Sequence, residues 1–520
     1  MMIDPRTNRF QFLLLFTLAS IAMLTGLGIA PLFLEEPRRA LVAMEMMYNN
    51  DLIHTTIHGK PYYNKPPLFN WIILVGFKWF GYQDWILRFI TVSSHLAIGY
   101  LVYKMGAKYF SKQSGVLAAG LYLAGADILF YFSLIGEIDI FFSLLIVAGW
   151  FSYFHFSSRD KFKLAYLLFY FFMALGFLTK GLPAVLFAGF TMVGWHAYTG
   201  RFRKLFTTSH LLGVLVALLL VTLYFLPFLV QGDLVTLVST LWGQSIERTE
   251  AQGFSKRVIS FISFPILLLK DIMPAAIMLI LFRMVAFRNY LKQYPLFAFC
   301  FVVFVSNIWV YWISPDSQSR YHYMFHPLLI LMIVHFYVSF NVQSKYYQVL
   351  QKIFKGLSWL FLGVIVAGII VVPMALPTKG ISWILPVVLP LAASAFYLGK
   401  KFSWSPVYLA ILLMLLLRLP YGYITSMERS QNSQASKDKK TGIAIAEIAG
   451  QSPVFLWDST RISTTISYYM QRDLGRIVPY STDESRAVYY ILPDSVLQSN
   501  MLVKKQFLYQ GNPFSLVWTE

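Results

Sequence analysis

Charge is scarce in this chain. Of 520 residues, 13% are charged, 57% hydrophobic and 18% aromatic, whereas soluble domains carry about 25% charged residues. Too little polar surface remains to cover a water-soluble body, so most of the chain must face lipid. The same composition excludes a disordered chain, a collagen repeat and a coiled coil. Cysteine occurs once, as Cys300 inside the apolar run Leu296–Trp309. That excludes a disulfide framework, a thiolate metal cluster and a redox pair, and the residue reads as core. Internal repeats, low-complexity tracts and a glycine-rich nucleotide loop are also missing.

What the sequence has is apolar length. A window of about 20 residues finds about thirteen apolar runs. They start near Phe10, Ile86, Gly115, Asp139, Leu164, Leu182, Leu211, Ser260, Leu296, Tyr323, Gly356, Ile381 and Pro406. The first is too long for a signal's apolar core and has no clear small-residue cleavage site, so it reads as a retained anchor helix. Connections on one side are basic, for instance Lys104, Lys108 and Lys112, then Arg201, Arg203 and Lys204, then Lys400 and Lys401. Those on the other side hold single cations such as Lys180, Arg320 and Lys379. This is a positive-inside pattern, which predicts a cytoplasmic N-terminus and an outer C-terminus. The net charge of +19 is therefore topology and predicts no nucleic-acid partner.

Three outer segments stand apart. Leu34 to about Trp85 is a long polar connection with two stretches, Arg38–Tyr48 and Leu68–Phe80, that read as helices lying at the interface. Gln231–Arg257 reads as a polar outer loop. The tail after Glu428 reads as a polar linker, Ser430–Lys440, followed by a small α/β domain. Its expected helices are Ile443–Ala449 and Ile462–Met470; its strands are Val454–Trp457, Val488–Leu492 and Ser515–Trp518. The predicted division is a transmembrane catalytic domain over 1–427 and an extracytoplasmic α/β domain over 428–520, with a fold that is otherwise all-α and polytopic.

Ionisable groups help choose among transporter, channel and enzyme, because a charge at mid-bilayer costs at least about 2.5 kcal/mol and tends to be functional. Asp127, Asp139, Asp271 and Arg418 all fall near expected span ends. A transporter would show buried charges and helix breaks in corresponding halves; the sequence displays neither. Charge gathers instead on the outer rim, which suits chemistry on a lipid-borne substrate. Glu35-Glu36-Pro37-Arg38-Arg39 can be a helix start, with acids favoured by the dipole, or a carboxylate base beside an anion-holding arginine. Gly59–Leu68, with Tyr62, Asn64 and Lys65 among prolines, can be a rigid turn with a snorkelling lysine. His322 and His326 read as span-end residues facing headgroups, and Asp84 with Arg88, four residues apart, as a structural pair.

Taken in order, these motifs resemble the polytopic GT-C type glycosyltransferases that use lipid-linked sugars, the relatives of the lipid A aminoarabinose transferase and, more distantly, the protein O-mannosyltransferases. The resemblance rests on Glu35-Glu36-Pro37-Arg38, then Pro61-Tyr62 with Lys65-Pro66-Pro67-Leu68. It continues through Ile135-Gly136-Glu137-Ile138-Asp139, Leu178-Thr179-Lys180-Gly181 and Ser319-Arg320-Tyr321 with Pro327 and Leu328. It implies a multi-pass protein of the bacterial inner membrane that moves a sugar from polyprenyl phosphate to an extracytoplasmic lipid or protein acceptor. Glu35 then takes the catalytic carboxylate's place and Asp139 the second acidic position. Arg38, Lys65, Tyr62 and Tyr321 match residues that contact the polyprenyl phosphate; Lys180, Arg320, Glu36 and Glu137 complete the implied substrate-binding set. Two departures matter: Asn64 stands where the family has a glutamate proposed as a metal ligand, so a divalent metal is left open, and Glu137 is an additional acid. A sugar on polyprenyl phosphate carries a leaving anion that cations can neutralise, while a positioned carboxylate contributes typically about 10²–10⁴ in rate.

Overall fold

The computed structural model describes residues 5–250, 254–313, 318–375, 384–458, 460–483, 487–499 and 501–519. The chain is mostly helical, and each of the expected apolar runs falls on a helix or a broken helix pair. Among the described residues, seven helices are long and apolar enough to cross a membrane, or up to nine if each of two bent pairs is one span. Lys379 and the start of the run near Ile381 lie outside the described residues.

The chain divides into two compact units. The first takes in residues 1–26, 88–226 and 241–425, and the second 27–87, 227–240 and 426–520. The second unit is therefore built from three separated pieces of chain, the last of which carries the C-terminal sheet.

In the first unit, small residues let helices approach closely, the usual device where lipid removes any hydrophobic drive between them. Helices Trp85–Tyr109 and Lys112–Leu123 meet at Gly106 and Gly115, where a Cβ on Gly115 would lie 2.6 Å from the Ala107 amide nitrogen. Two helices break. Lys112–Leu123 and Ala126–Leu134 meet at 45°, and Arg257–Asp271 and Ala275–Leu281 at 102° around Pro274, whose ring removes a backbone donor. The breaks satisfy each other, since the Ala126 amide donates to the Met273 carbonyl at 2.9 Å. Arg418 is fully buried midway along helix Pro406–Asn432. Its Nε donates to the Leu129 carbonyl at 2.6 Å and its Nη2 to Ser133 Oγ at 3.1 Å. Gly422, one turn on, leaves the room, because a Cβ there would fall 1.6 Å from Arg418 Nη1.

These features correct the expectation that the spans lack helix breaks and buried charge. Arg418 sits at mid-helix because backbone groups freed by a broken helix 285 and more residues away in sequence receive it, and no local pattern reports such a partner.

In the second unit, helices Glu36–Tyr48 and Leu68–Phe80 occupy the two stretches expected of them. Between them β1 (Thr56–Ile57) and β2 (Lys60–Pro61) form a two-residue hairpin. His58 and Gly59 both have positive φ (54° and 72°), the geometry such a turn requires and glycine tolerates without strain.

The tail forms a five-stranded sheet of order β4-β3-β5-β7-β6. Its strands are β3 (Val454–Trp457), β4 (Tyr480–Ser481), β5 (Val488–Pro493), β6 (Met501–Tyr509) and β7 (Asn512–Thr519). β3 runs parallel to β4 and β5, and β7 antiparallel to β5 and β6. Alternation sorts the side chains: Val454, Leu456 and Ile491 pack under helices Gln434–Ala449 and Thr464–Leu474, while Tyr490, Leu492 and Val517 fill the other face. The two helices touch at Gly442, where a Cβ would meet the Ile466 carbonyl at 2.6 Å.

Two segments differ from their sequence reading. Ser430–Lys440 is no linker, because helix Pro406–Asn432 ends against Ser433, whose hydroxyl accepts from the Ser436 amide and starts the next helix. Gln231–Arg257, read as a polar loop, is largely helix, Leu234–Glu250.

Candidate active site

The residues singled out in the sequence fall into two groups, one in each unit. In the second unit, Glu35 is the residue before helix Glu36–Tyr48, and Pro37 sits in its first turn. Proline is pre-organised there and its missing N–H is no loss. One turn on, Arg38 Nη1 donates to both Glu35 carboxylate oxygens at 2.9 and 2.8 Å, with each side chain about a third exposed (36% and 35%). Glu36 points elsewhere: it is buried and its Oε2 accepts from the Phe33 amide at 3.0 Å. Neighbours in sequence thus do different work, one tying down the chain before the helix and one presented at a half-exposed position.

Tyr62 and Lys65 are half-buried. The Tyr62 amide donates to the Thr55 carbonyl at 2.8 Å, and Thr55 Oγ1 donates back to the Tyr62 carbonyl at 2.6 Å, so this loop is pinned on both sides. Glu45, fully buried, holds the hairpin turn: its carboxylate accepts from Thr56 Oγ1, the His58 amide and Gln471 Nε2 at 2.7, 2.7 and 3.2 Å. Asp84 accepts from the Tyr469 hydroxyl at 2.7 Å and Lys439 Nζ at 3.1 Å.

In the first unit, four charged groups meet. Glu137 precedes helix Ile138–Ser157 and Asp139 lies in its first turn. Lys180 closes helix Phe162–Lys180, and Arg320 comes from the short turn Ser319–Tyr321. Lys180 Nζ donates to Asp139 Oδ1. Arg320 Nη1 donates to both Glu137 oxygens at 3.0 and 2.8 Å, and its Nε is 4.0 Å from Asp139 Oδ2. Tyr321 lies under the lysine, with Nζ 4.5 Å from its ring centroid, a favourable cation–π geometry. Glu137, Asp139 and Lys180 are buried at 2%, 3% and 7% exposure. Burial of the Glu137 carboxyl, reinforced by Asp139 beside it and opposed by Arg320, pushes it up to about 7.

The structure thus brings Glu137, Asp139, Lys180, Arg320 and Tyr321 together, and Glu35 with Arg38. It corrects the reading of His322 and His326, which face no headgroups: both are buried, at 0% and 2%. His322 Nε2 lies 3.5 Å from Asp271 Oδ2, and its Nδ1 3.4 Å from His326 Nε2. Next to them the Tyr323 hydroxyl donates to Asp127 Oδ2 at 2.5 Å. Sequence reasoning missed this network because its acids, Asp271 and Asp127, lie about 50 and 200 residues from His322 and Tyr323. Among the described residues, no three His, Cys, Asp or Glu side chains are grouped to hold a metal ion.

Comparison with known proteins fits this architecture. Residues 64–229 match the dolichyl-phosphate-mannose-protein mannosyltransferase family. The chain is 25% identical over 202 residues to the undecaprenyl phosphate-α-4-amino-4-deoxy-L-arabinose arabinosyl transferase 1 of Proteus mirabilis, a match covering 38% of this chain and 37% of that one. Its fold is similar to ArnT from Cupriavidus metallidurans bound to undecaprenyl phosphate, with TM-score 0.70 and 14% identity over 97% of both chains. The apo form of that protein gives 0.69 and 15% over the same coverage. These matches agree with the resemblance carried by the motifs, to polytopic glycosyltransferases of the lipid A aminoarabinose transferase type, and the apolar helices are those of a multi-pass membrane protein.

Proposed function

We propose that the protein is a membrane glycosyltransferase moving a sugar from a polyprenyl-phosphate donor to an extracytoplasmic acceptor, with lipid A or another cell-envelope glycolipid as the acceptor class. The observation that carries this reading is agreement of fold over 97% of both chains with a protein bound to undecaprenyl phosphate. The sequence match to an arabinosyl transferase supports it. The bacterial inner membrane is the location this implies. About thirteen spans put the N-terminus inside and the domain over 428–520 outside, from the alternation of basic connections.

In such a transfer the acceptor oxygen bonds to the sugar's anomeric carbon as the bond to the donor phosphate breaks, and polyprenyl phosphate leaves as an anion. Glu35 is our candidate to take the acceptor's proton. It is half-exposed, and its arginine partner is a flexible side chain that an anion can draw away. Arg38, in the first turn of helix Glu36–Tyr48, and Lys65, before helix Leu68–Phe80, are our candidates to hold the donor phosphate, each charge-assisted bond worth roughly 1.5–3 kcal/mol. Further candidates for substrate contact are Lys180, Arg320 and Tyr321 in the first unit, where Asp139 and Glu137 hold the two cations, and Tyr62 in the second. Beside the loop lysine stands Asn64, whose uncharged amide is a weaker ligand for a divalent cation than a carboxylate.

The test is a panel of polyprenyl-phosphate sugars and acceptors offered to the purified protein. Transfer to lipid A or a related glycolipid is expected. Transfer to a peptide alone would make it a protein O-mannosyltransferase-like enzyme. The bent helices and buried Arg418 keep a transporter in view; flux of lipid or polysaccharide in proteoliposomes without sugar transfer would establish that reading instead.

A further inference from the structure

We propose, resting on the donor reading above, that Glu137 competes with the donor phosphate for Arg320, and that phosphate binding at this cluster drives a proton onto Glu137. Glu137 grips Arg320 through both oxygens while Lys180 is taken by Asp139. The cluster is therefore two carboxylates against two cations, formally neutral, and mostly buried. Its cations are not idle; each already holds an acid.

A phosphate entering here must share or take a cation. A buried excess of negative charge is strongly unfavourable, since a carboxylate stripped of its partner loses the attraction that offset its desolvation. The relief available is protonation of the acid that loses most. Asp139 keeps Lys180. Glu137 pairs with Arg320; beside it stand Asp139, a like charge, and Thr91, whose hydroxyl donates to the Glu137 backbone carbonyl at 3.3 Å. Tyr321 stacks on Tyr311 with centroids 5.4 Å apart and carries Lys180 and Arg320 over its ring at 4.5 and 5.6 Å. Glu137 is also the acid closest to taking a proton before any ligand arrives, poised up to about 7 by burial and Asp139.

The sign follows. A group whose proton affinity rises on binding makes binding tighter at low pH. Below about 7 Glu137 is already protonated and phosphate affinity is at its highest. Above that, affinity falls by up to about tenfold per pH unit, until the pH passes the value Glu137 has in the complex. The phosphate monoester's own second ionisation lies near 6, so at pH 8 its contribution is small.

The experiment is titration calorimetry of the full-length protein with undecaprenyl phosphate at pH 8, in two buffers of different ionisation enthalpy. Uptake approaching one proton per bound lipid is expected for the parent. Glu137→Gln should bind more tightly at pH 8, by about tenfold, with uptake near zero. Binding by the parent without proton uptake, or undiminished uptake in Glu137→Gln, overturns the proposal and leaves the donor reading standing. If the parent does not bind undecaprenyl phosphate at all, the donor reading itself falls. Should Glu137→Gln fail to fold, the parent's affinity between pH 6 and 9 decides: a fall above pH 7 supports the proposal, and a flat profile overturns it.

Discussion

Two acid–base pairs in this molecule join the same kinds of charge and differ in physics. Glu35 and Arg38 pair across one helical turn with about a third of each side chain in solvent. Asp139 and Lys180 pair across 41 residues with about a twentieth of each exposed (5% and 4%). An exposed pair is worth little to the fold, about 0–1 kcal/mol, and can open without penalty. A buried pair is locked, because removing either partner strands a charge in a low-dielectric interior. The half-exposed pair is suited to chemistry, where a group must change partners during turnover. The buried one is suited to holding its surroundings in place, and at most to shifting a proton.

The sharpest way to break this contrast is Asp139→Ala. It should destabilise the protein by about 3–5 kcal/mol through the unpaired Lys180, seen as loss of monodisperse protein in size exclusion and a lower melting temperature. Removing both partners together, Asp139→Asn with Lys180→Met, should recover much of the stability and none of the turnover. Next in size, Glu35→Gln should reduce turnover by roughly 10²-fold or more, with melting unchanged within about 1 kcal/mol. A variant that loses stability as Asp139→Ala does would erase the distinction between the pairs. Smaller is the effect of Arg38→Ala, expected to weaken undecaprenyl phosphate binding by about tenfold or more; Arg38→Lys should rescue it partly, since a point charge replaces a fork.

The smallest effect sharpens the exposed side of the comparison. Asp51, 38% exposed, accepts from the Ile53 and His54 amides at 2.8 and 3.0 Å and faces the His54 ring. Burial alone would raise its carboxyl, but those hydrogen bonds outweigh it and hold the group below its ordinary value. The stability it contributes is present above the ordinary carboxylate range, near pH 4, and lost as pH falls through the lower folded value. Asp51→Asn should therefore cost about 0.5 kcal/mol or less after solvent screening at neutral pH, and its melting curve should converge with the parent's in acid.

Much of this fold was legible in the sequence because its signals are local. Apolar runs marked the helices, and alternation marked Val454–Trp457 and Val488–Leu492 as strands, the second ending one residue later in the structure. β6 escaped because Lys504 and Lys505 interrupt its pattern at a register shift on an edge strand, where charge is the usual guard against pairing. The linker reading failed at Ser430–Lys440 because a single capping serine turned a polar stretch into a helix start. Of the site, the Glu35–Arg38 pairing was accessible from helical spacing. The Asp139–Lys180 and Glu137–Arg320 pairings were not, since they depend on which helix ends meet. Nor was the place of Arg418, whose partners are backbone and hydroxyl groups exposed by a helix break elsewhere.

The central claim is that a polyprenyl-phosphate sugar is the donor and that the half-exposed acid does the chemistry. Its most direct test follows release of polyprenyl phosphate from an undecaprenyl-phosphate sugar, with acceptor present, by the parent and by Glu35→Gln of equal melting temperature. The account predicts acceptor-dependent release by the parent and roughly 10²-fold slower release by the variant. Equal rates in the two proteins, or no release by a parent shown to be folded, would contradict it.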